Sequence, residues 1–298
     1  MKIAHKKSET GVVLVSVLII VAMISLAVSL MWQQRASNLN STKNIIHTSQ
    51  AVNYLYSLEV WAKSILRNDN NQVDYLEEEW ANIIPPIKVP NGELQGKIMD
   101  MQARLNINHL ISINNGPTQA YLNPNYTNCL NKLNTSLEQD FMSDFIIEYV
   151  NKQRPIKKFK HLSELKQVEG IEYKDYLKIK PYLTASSLIK TININTASKE
   201  VLSCLHPDLS ISLAQGIIDK RPFNSLSEAQ TAIHQAIGSL SMANIQNIFN
   251  ANLISINSQF FLLVSDIQIA SSHIKAETLF HRNNNLLNVI SRTYEQIL

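Results

Sequence analysis

At 298 residues the chain is long enough for one large domain or two small ones, and a composition of 45% hydrophobic and 17% charged residues supports a packed core and excludes disorder as the dominant state. The formal net charge is +3, but Lys2, Lys6, Lys7 and Glu9 crowd into the first ten residues, and the remainder carries 24 basic against 23 acidic side chains. A chain so close to neutral lacks the broad basic face of a nucleic-acid binder.

The first predicted element is a membrane span. Val12 to Trp32 is a 21-residue run without a charge; at 1.5 Å per residue it covers about 32 Å, one hydrocarbon core. Lysines precede it and Arg35 follows, so the positive-inside rule leaves the leader in the cytoplasm and everything beyond Arg35 outside, in a single-pass arrangement. Two other readings compete. A cleavable secretory signal would cut near Ala27-Val28-Ser29, but its apolar core is shorter than this run; a plain signal anchor fits the length. Gly11 sits where the polar leader meets the apolar run. That layout resembles a type IV prepilin-like signal, which implies cleavage by a membrane peptidase between Gly11 and Val12 and methylation of the Val12 amine. Removal of the first 11 residues of 298 would leave 287. Glycine suits such a site because it has no side chain to obstruct a protease cleft. Val12 departs from the phenylalanine or methionine usual after that cut.

The helix is predicted to continue. Ala51, Tyr54, Leu55, Leu58, Trp61, Ala62, Ile65 and Leu66 recur at three- and four-residue spacing, and Asn68-Asp69-Asn70-Asn71 ends them. A helix from Val12 to Leu66 would be about 80 Å long, its first half suited to lipid or a bundle and its second to a globular head. Pro85, Pro86, Pro90 and Asn91-Gly92 mark turns. Leu94 to Leu105 reads as a strand with Leu94, Lys97, Met99, Met101 and Ala103 set against Gln95, Ile98, Asp100, Gln102 and Arg104. From Asn106 to Asn250 the pattern is helical: Phe141, Phe145, Ile146, Tyr149 and Val150 in one helix; Leu162, Leu165 and Val168 in another, closed by Gly170; a third capped by Thr196; then Ala214–Asp219 and Leu226–Ile237. Beyond Asn252, Phe260–Val264, Asp266–Ile269, His273–Arg282 and Leu286–Arg292 read as a meander of three or four strands, broken at Ser271-Ser272 and Asn283-Asn284-Asn285. Strands on both sides of a helical stretch predict one antiparallel sheet joining the two blocks, since no strand can be left without a partner.

Cys129 and Cys204 are too few for a disulfide scaffold and fit no zinc spacing. In an oxidising compartment they could pair, closing a loop of roughly 75 residues; two unrelated buried thiols is the equal alternative. The sequence has no Gly-rich phosphate loop, no HExxH, no GxSxG, and eight scattered histidines. We therefore expect no catalysis. Ile192–Ala197 with Arg221-Pro222-Phe223 is similar to helix-hairpin-helix modules of DNA-uptake receptors. Its candidate hairpins are poor phosphate sites, however: Val168-Glu169-Gly170-Ile171-Glu172 carries two glutamates, and Leu205-His206-Pro207-Asp208-Leu209 has no glycine and loses a donor at Pro207.

Nearly the whole chain resembles the minor pseudopilin K (GspK) family of type II secretion. The resemblance rests on the opening GVVLVSVLIIVAMISLAVSLMWQQ; on Glu79-Trp80-Ala81, Pro85-Pro86 and Leu94–Asp100; on Ala103-Arg104-Leu105-Asn106-Ile107-Asn108; on Leu162-Ser163-Glu164-Leu165 with Val168-Glu169-Gly170; and on Ile192–Ala197 with Val201-Leu202. It implies an α+β fold: a pilin-like long N-terminal helix packed on an antiparallel sheet, with a large inserted all-α (helical-hairpin, SAM-like) domain. The division would be a 1–11 leader, a 12–34 transmembrane part, 35–105 with the first strand, an inserted 106–251 and completing strands in 252–298. Most pseudopilins carry glutamate at the fifth mature position, here Ser16. A carboxylate in lipid needs a partner, which in a growing pilus is the amino terminus of the subunit ahead. A tip subunit has none ahead, so Ser16 suits the tip. Implied partners are I-type and J-type minor pseudopilins, further pseudopilins below the tip, the prepilin peptidase, the inner membrane, and the secretin or cargo. Bundling would use Ser16, Ala22, Ser25, Ala27 and Ser29, small residues that let helix backbones approach. Family members bind calcium, but here only Asp140, Asp144 and Glu148 share a predicted helix face, below the six oxygen ligands calcium needs. A type IV pilus minor pilin and a membrane-anchored DNA receptor are the alternatives.

Overall fold

A computed structural model describes residues 10–69, 72–83, 85–113, 120–123, 129, 132–133, 135, 143–153, 156–283 and 286–297. One helix, α1 (Thr10–Asn68), runs for 59 residues, about 88 Å. It is unbroken because no proline or glycine follows Gly11 before its end. It stops where the Asn68-Asp69 signal predicts.

The strands are β1 (Ile87–Val89), β2 (Gly92–Asp100), β3 (Leu105–Asn106), β4 (Ile111–Ile113), β5 (Ala120–Leu122), β6 (Leu183–Thr184), β7 (Ile192–Asn193), β8 (Ile254–Ser255), β9 (Phe260–Ile269), β10 (Ser272–Asn283) and β11 (Leu286–Ile297). Five of them form an antiparallel sheet in the order β1-β2-β9-β10-β11. The two strand-forming blocks thus do join, with β2 lying on β9. Asn91 turns β1 into β2 with φ 66°, and at Gly92 a Cβ would collide with the Gln268 backbone, so only glycine permits that approach.

The expectation for the first long strand needs correction. β2 ends at Asp100 rather than Leu105, because the Asp100 carboxylate accepts from the Gln102 backbone N–H (2.7 Å) and bends the chain. Its buried face is Leu94, Gly96, Ile98 and Asp100, so Ile98 belongs with Leu94, not opposite it. The C-terminal meander has three strands, since Phe260 to Ile269 is continuous.

Ala51, Leu55, Leu58, Ala62 and Leu66 of α1 pack on Ile98, Phe261, Leu263, Ile274 and Phe280 of the sheet. Each such leucine contributes about 1.5–3 kcal/mol. Trp80 closes this layer edge-on to Phe261, with centroids 5.2 Å apart.

Between β2 and β9 the chain builds a second apolar cluster. Its helices are α2 (Ser143–Lys152), α3 (Tyr173–Ile179), α4 (Lys199–Ser203), α5 (Ile211–Ile218), α6 (Leu226–Ile237) and α7 (Met242–Ile248), with a 3-10 turn at Leu162–Gln167. Gly170 follows that turn with φ 90°. Phe141 of the expected first helix lies outside the described residues. The third helix is capped by Ser198, whose hydroxyl accepts from Val201 N, and not by Thr196. The two-residue parallel pairs β3–β6 and β7–β8 lace this cluster to its own ends.

Candidate assembly surface

Every described side chain of α1 from Val13 to Ile46 is exposed. Val13 to Trp32 therefore presents an apolar cylinder that no other described part of the molecule covers, long and apolar enough to cross a membrane. Ser16 donates to Val13 O and Ser25 to Val21 O, both at 2.8 Å, so each hydroxyl is satisfied within the helix and costs little in lipid. At 100° per residue the small side chains fall on two faces: Ala22, Ser25 and Ser29 on one, Ser16 and Ala27 on the other. Gly11 and Val12 lie in the first turns of α1.

The other half of α1 is gripped by the head. Glu59, 4% exposed, accepts from Arg292 Nε (2.5 Å) and Nη2 (2.7 Å) and from Thr278 Oγ1 (2.8 Å). Burial opposes its ionisation, but Arg292 and Thr278 outweigh it and hold its carboxyl below the ordinary value. Arg292 also lies over the Tyr56 ring. Near the base of the head, Ser271 donates to Asn44 Oδ1 (2.8 Å) and lies 3.1 Å from His47 Nδ1. No local pattern marks these residues, because a lone glutamate on a helix reads as a solvated one.

The sheet and the helical cluster meet at a buried polar joint. Asp100 Oδ2 accepts from Thr196 Oγ1, Ser258 Oγ and Asn193 Nδ2. Burial pushes its pKa up against the pull of those donors. Asn193 also donates to Asp74 O and Ser258 Oγ. Beside it Arg282 donates to both Asp74 oxygens, to Asp69 and to Ser258 O. Burial raises Asp74 to about 7, opposed chiefly by Arg282. Thr196 is thus drawn from capping duty by a carboxylate that must find donors. Asn195 ties the next turn, donating to Phe223 O and accepting from Phe223 N.

Cys129 and Cys204 are joined in a disulfide. The neighbouring Lys132 ammonium donates to the carbonyls of Ser203, His206, Pro207 and Leu209, each at 2.9 Å. The second candidate hairpin therefore spends its polar atoms on an internal lysine. In the first, Gly170 lies against the Phe145 ring and Glu172 pairs with Lys174. Of the expected calcium residues, Glu148 is paired with Lys152, Asp144 lies in α2, and Asp140 falls outside the described residues. The trio Asp69, Asp74 and Glu78 has carboxylate oxygens within 4.8 Å of one another, but the Arg282 guanidinium already neutralises two of its members.

A family model described as type II secretion system (T2SS), protein K, matches residues 192–251, the stretch that opens on Asn193, Asn195 and Thr196. Among curated relatives, the type II secretion system protein K of Pseudomonas aeruginosa is 23% identical over 98% of this chain and 94% of its own. That of Klebsiella pneumoniae is 22% identical over 96% of each. Among solved structures, a chain of the GspK-GspI-GspJ complex from enterotoxigenic Escherichia coli superposes with a TM-score of 0.68 at 20% identity, over 85% of this chain and 99% of that one. The chain thus resembles protein K along nearly its whole length and shares its fold.

Proposed function

We propose that this chain is the K-type minor pseudopilin of a bacterial type II secretion system, anchored in the inner membrane by α1 with its head in the periplasm. The observation that carries the reading is a single helix that is bare and apolar from Val13 to Trp32 yet locked into a sheet from Ala51 to Leu66. Cleavage after Gly11 would free Val12 for methylation and leave the apolar half of α1 to bundle with I-type and J-type partners. Two small-residue faces, one with Ala22, Ser25 and Ser29 and one with Ser16 and Ala27, suit two neighbours at once.

In this reading α1 and the five-stranded sheet are a pilin-like body, and residues 106–251 are an insertion that widens it. The joint of Asp100, Asn193, Thr196 and Ser258 fixes the insertion rigidly on the sheet. A head so broadened leaves no room for a subunit above it, and Ser16 offers no carboxylate to an amino terminus ahead. Both features suit a subunit that starts the pseudopilus and stays at its tip, below the secretin and near cargo. The work is mechanical: no catalytic group or cofactor enters it.

Intact-mass measurement with and without prepilin peptidase tests the reading. A mature chain beginning at Val12, together with lost exoprotein export on deletion, is the expected result. A chain beginning near Leu30 would return it to the secreted proteins. Intact export with altered adhesion would make it a type IV minor pilin. Salt-sensitive DNA binding would make it a receptor.

A further inference from the structure

We infer that the turn between α4 and α5, from Ser203 to Leu209, is a carbonyl cradle for a monovalent cation of potassium's size, and that the Lys132 ammonium fills it from within the chain. The carbonyl oxygens of Ser203, His206, Pro207 and Leu209 all lie 2.9 Å from Lys132 Nζ. An ammonium has three hydrogens. Four acceptors at one distance cannot each receive one, so the group sits among them as a point charge. That is how a bare cation is held.

The carbonyls converge for local reasons. α4 ends at Ser203, and the last carbonyls of a helix have no donor ahead of them. Pro207 has no N–H to return to Ser203. Ser210 then opens α5 by accepting from Leu213 N, so its hydroxyl is turned to the next helix. Among the described residues, the other hydrogen bond that reaches the four is Leu209 N–H to His206 O, at 3.1 Å. Lys132 is aimed at the turn by its neighbour. Cys129 and Lys132 are both helical and three positions apart, which puts them on one face, and the bond from Cys129 to Cys204 sets that face on the turn.

The donor set selects the ion. It is four neutral carbonyls without a carboxylate. Asp208 is felt at Lys132 as a charge, but its carboxylate accepts from Ser239 Oγ (3.2 Å) and takes no place in the cradle. Calcium gathers oxygens at about 2.3–2.6 Å, carboxylates among them, and magnesium at about 2.0–2.1 Å; a cradle 2.9 Å in radius is too wide and too weakly charged for either. Carbonyl dipoles are the groups that replace the water around potassium. The cradle therefore suits potassium or free ammonium, and the smaller sodium ion less well. With Lys132 in place the chain supplies this cation itself, and the turn is independent of the ions around it.

The test uses the full chain in detergent, native or with Lys132→Ala or Lys132→Met, in nitrate salts of potassium, ammonium, sodium and choline at equal ionic strength. Alanine vacates the cradle, and methionine fills the same space without a charge. Hydrogen exchange of the amides between Ser203 and Leu209 reads the turn. Native exchange should be the same in every salt. With Lys132→Ala it should be about tenfold faster in choline, and potassium or ammonium should restore most of the protection, with sodium restoring less. With Lys132→Met, potassium should restore none. Thallium(I), a stand-in for potassium, should give a bound thallium resonance with Lys132→Ala and none with Lys132→Met. Protection that is lost with Lys132→Ala and returns in no salt would make Lys132 an ordinary donor at a helix end and overturn the cradle. Native-like exchange of Lys132→Ala in choline would overturn it as well. So would an equal potassium response from Lys132→Met or from the native chain, which would put the ion elsewhere. Should Lys132→Ala fail to fold in choline, folding in potassium or ammonium supports the cradle, and failure in all four salts overturns it.

Discussion

Replacement of Arg282 by methionine should cost stability in a way that depends on pH. Arg282 is 4% exposed and Asp74 is fully buried; the guanidinium donates to both Asp74 oxygens and covers the Phe261 ring. Methionine keeps the packing and strips Asp74 of its counter-charge, and a buried ion left without its partner costs about 3–5 kcal/mol. In the native protein burial already raises Asp74 to about 7 from an ordinary 3.8, with Arg282 as the main opposing influence. A carboxyl raised on folding adds most to stability below its unfolded value, and its contribution declines as pH climbs to the folded one. The native contribution of Asp74 therefore declines between about pH 4 and pH 7, and loss of Arg282 carries that decline higher. Unfolding of the full chain in detergent, followed by emission from buried Trp80, should show Arg282→Met costing about 1 kcal/mol at pH 5 and about 3–5 kcal/mol at pH 8. Asp74→Asn combined with Arg282→Met should cost less at pH 8 than Arg282→Met alone. Equal costs at the two pH values, or a double variant as costly as the sum of the singles, would refute the reasoning.

Glu59→Gln should destabilise the α1–sheet contact by about 1.5–3 kcal/mol at neutral pH. Because Glu59 is held below its ordinary value, its contribution is present above about pH 4.5 and lost as pH falls further; a variant whose acid unfolding matches that of the native chain would contradict this. Removal of the disulfide with Cys129→Ser and Cys204→Ser frees a loop spanning 75 residues, a loss of about 4 kcal/mol in guanidinium unfolding, and a change under about 1 kcal/mol would count against it. Lys132→Met removes the donor shared by four carbonyls, of which His206 O keeps only the Leu209 N–H, and should speed proteolysis between Ser203 and Leu209; unchanged cleavage would mean the carbonyls are met otherwise. Gly11→Phe should leave the precursor uncut, and normal processing would remove the basis for the Val12 terminus.

Features governed by neighbours in sequence were legible. The uncharged run from Val12 to Trp32, the spacing of Ala51 to Leu66 and the polar breaks around the last three strands are local patterns, and they placed α1, its stop and β9 to β11. Features governed by distant partners were not. Asp100 ends β2 through the Gln102 N–H, but the carboxylate is buried there only because Asn193, Thr196 and Ser258 converge on its other oxygen from far along the chain. Thr196 looked like a cap for the same reason, with Ser198 two residues on as a less conspicuous choice. β3–β6 and β7–β8 are two residues long, too short to show alternation. Helix α7 (Met242–Ile248) rests on the Ser241 cap and one buried Ile245, too little for a periodic signal. Spacing alone could not decide whether Cys129 and Cys204 meet, nor show that Glu59 would find Arg292.

The order of the sheet has a further consequence. The chain leaves β2 at Asp100 and returns at Phe260, and Asp100 stands directly across from Phe261 in the paired register, about 5 Å away. Everything threaded between those two residues passes through a doorway one strand spacing wide. A tight loop would bridge the same gap without shifting a rung of the ladder, and so would a body larger than the present one. The sheet and the helical cluster can accordingly vary separately, with the cluster exchanged for another shape while the ladder of β2 and β9 keeps its register.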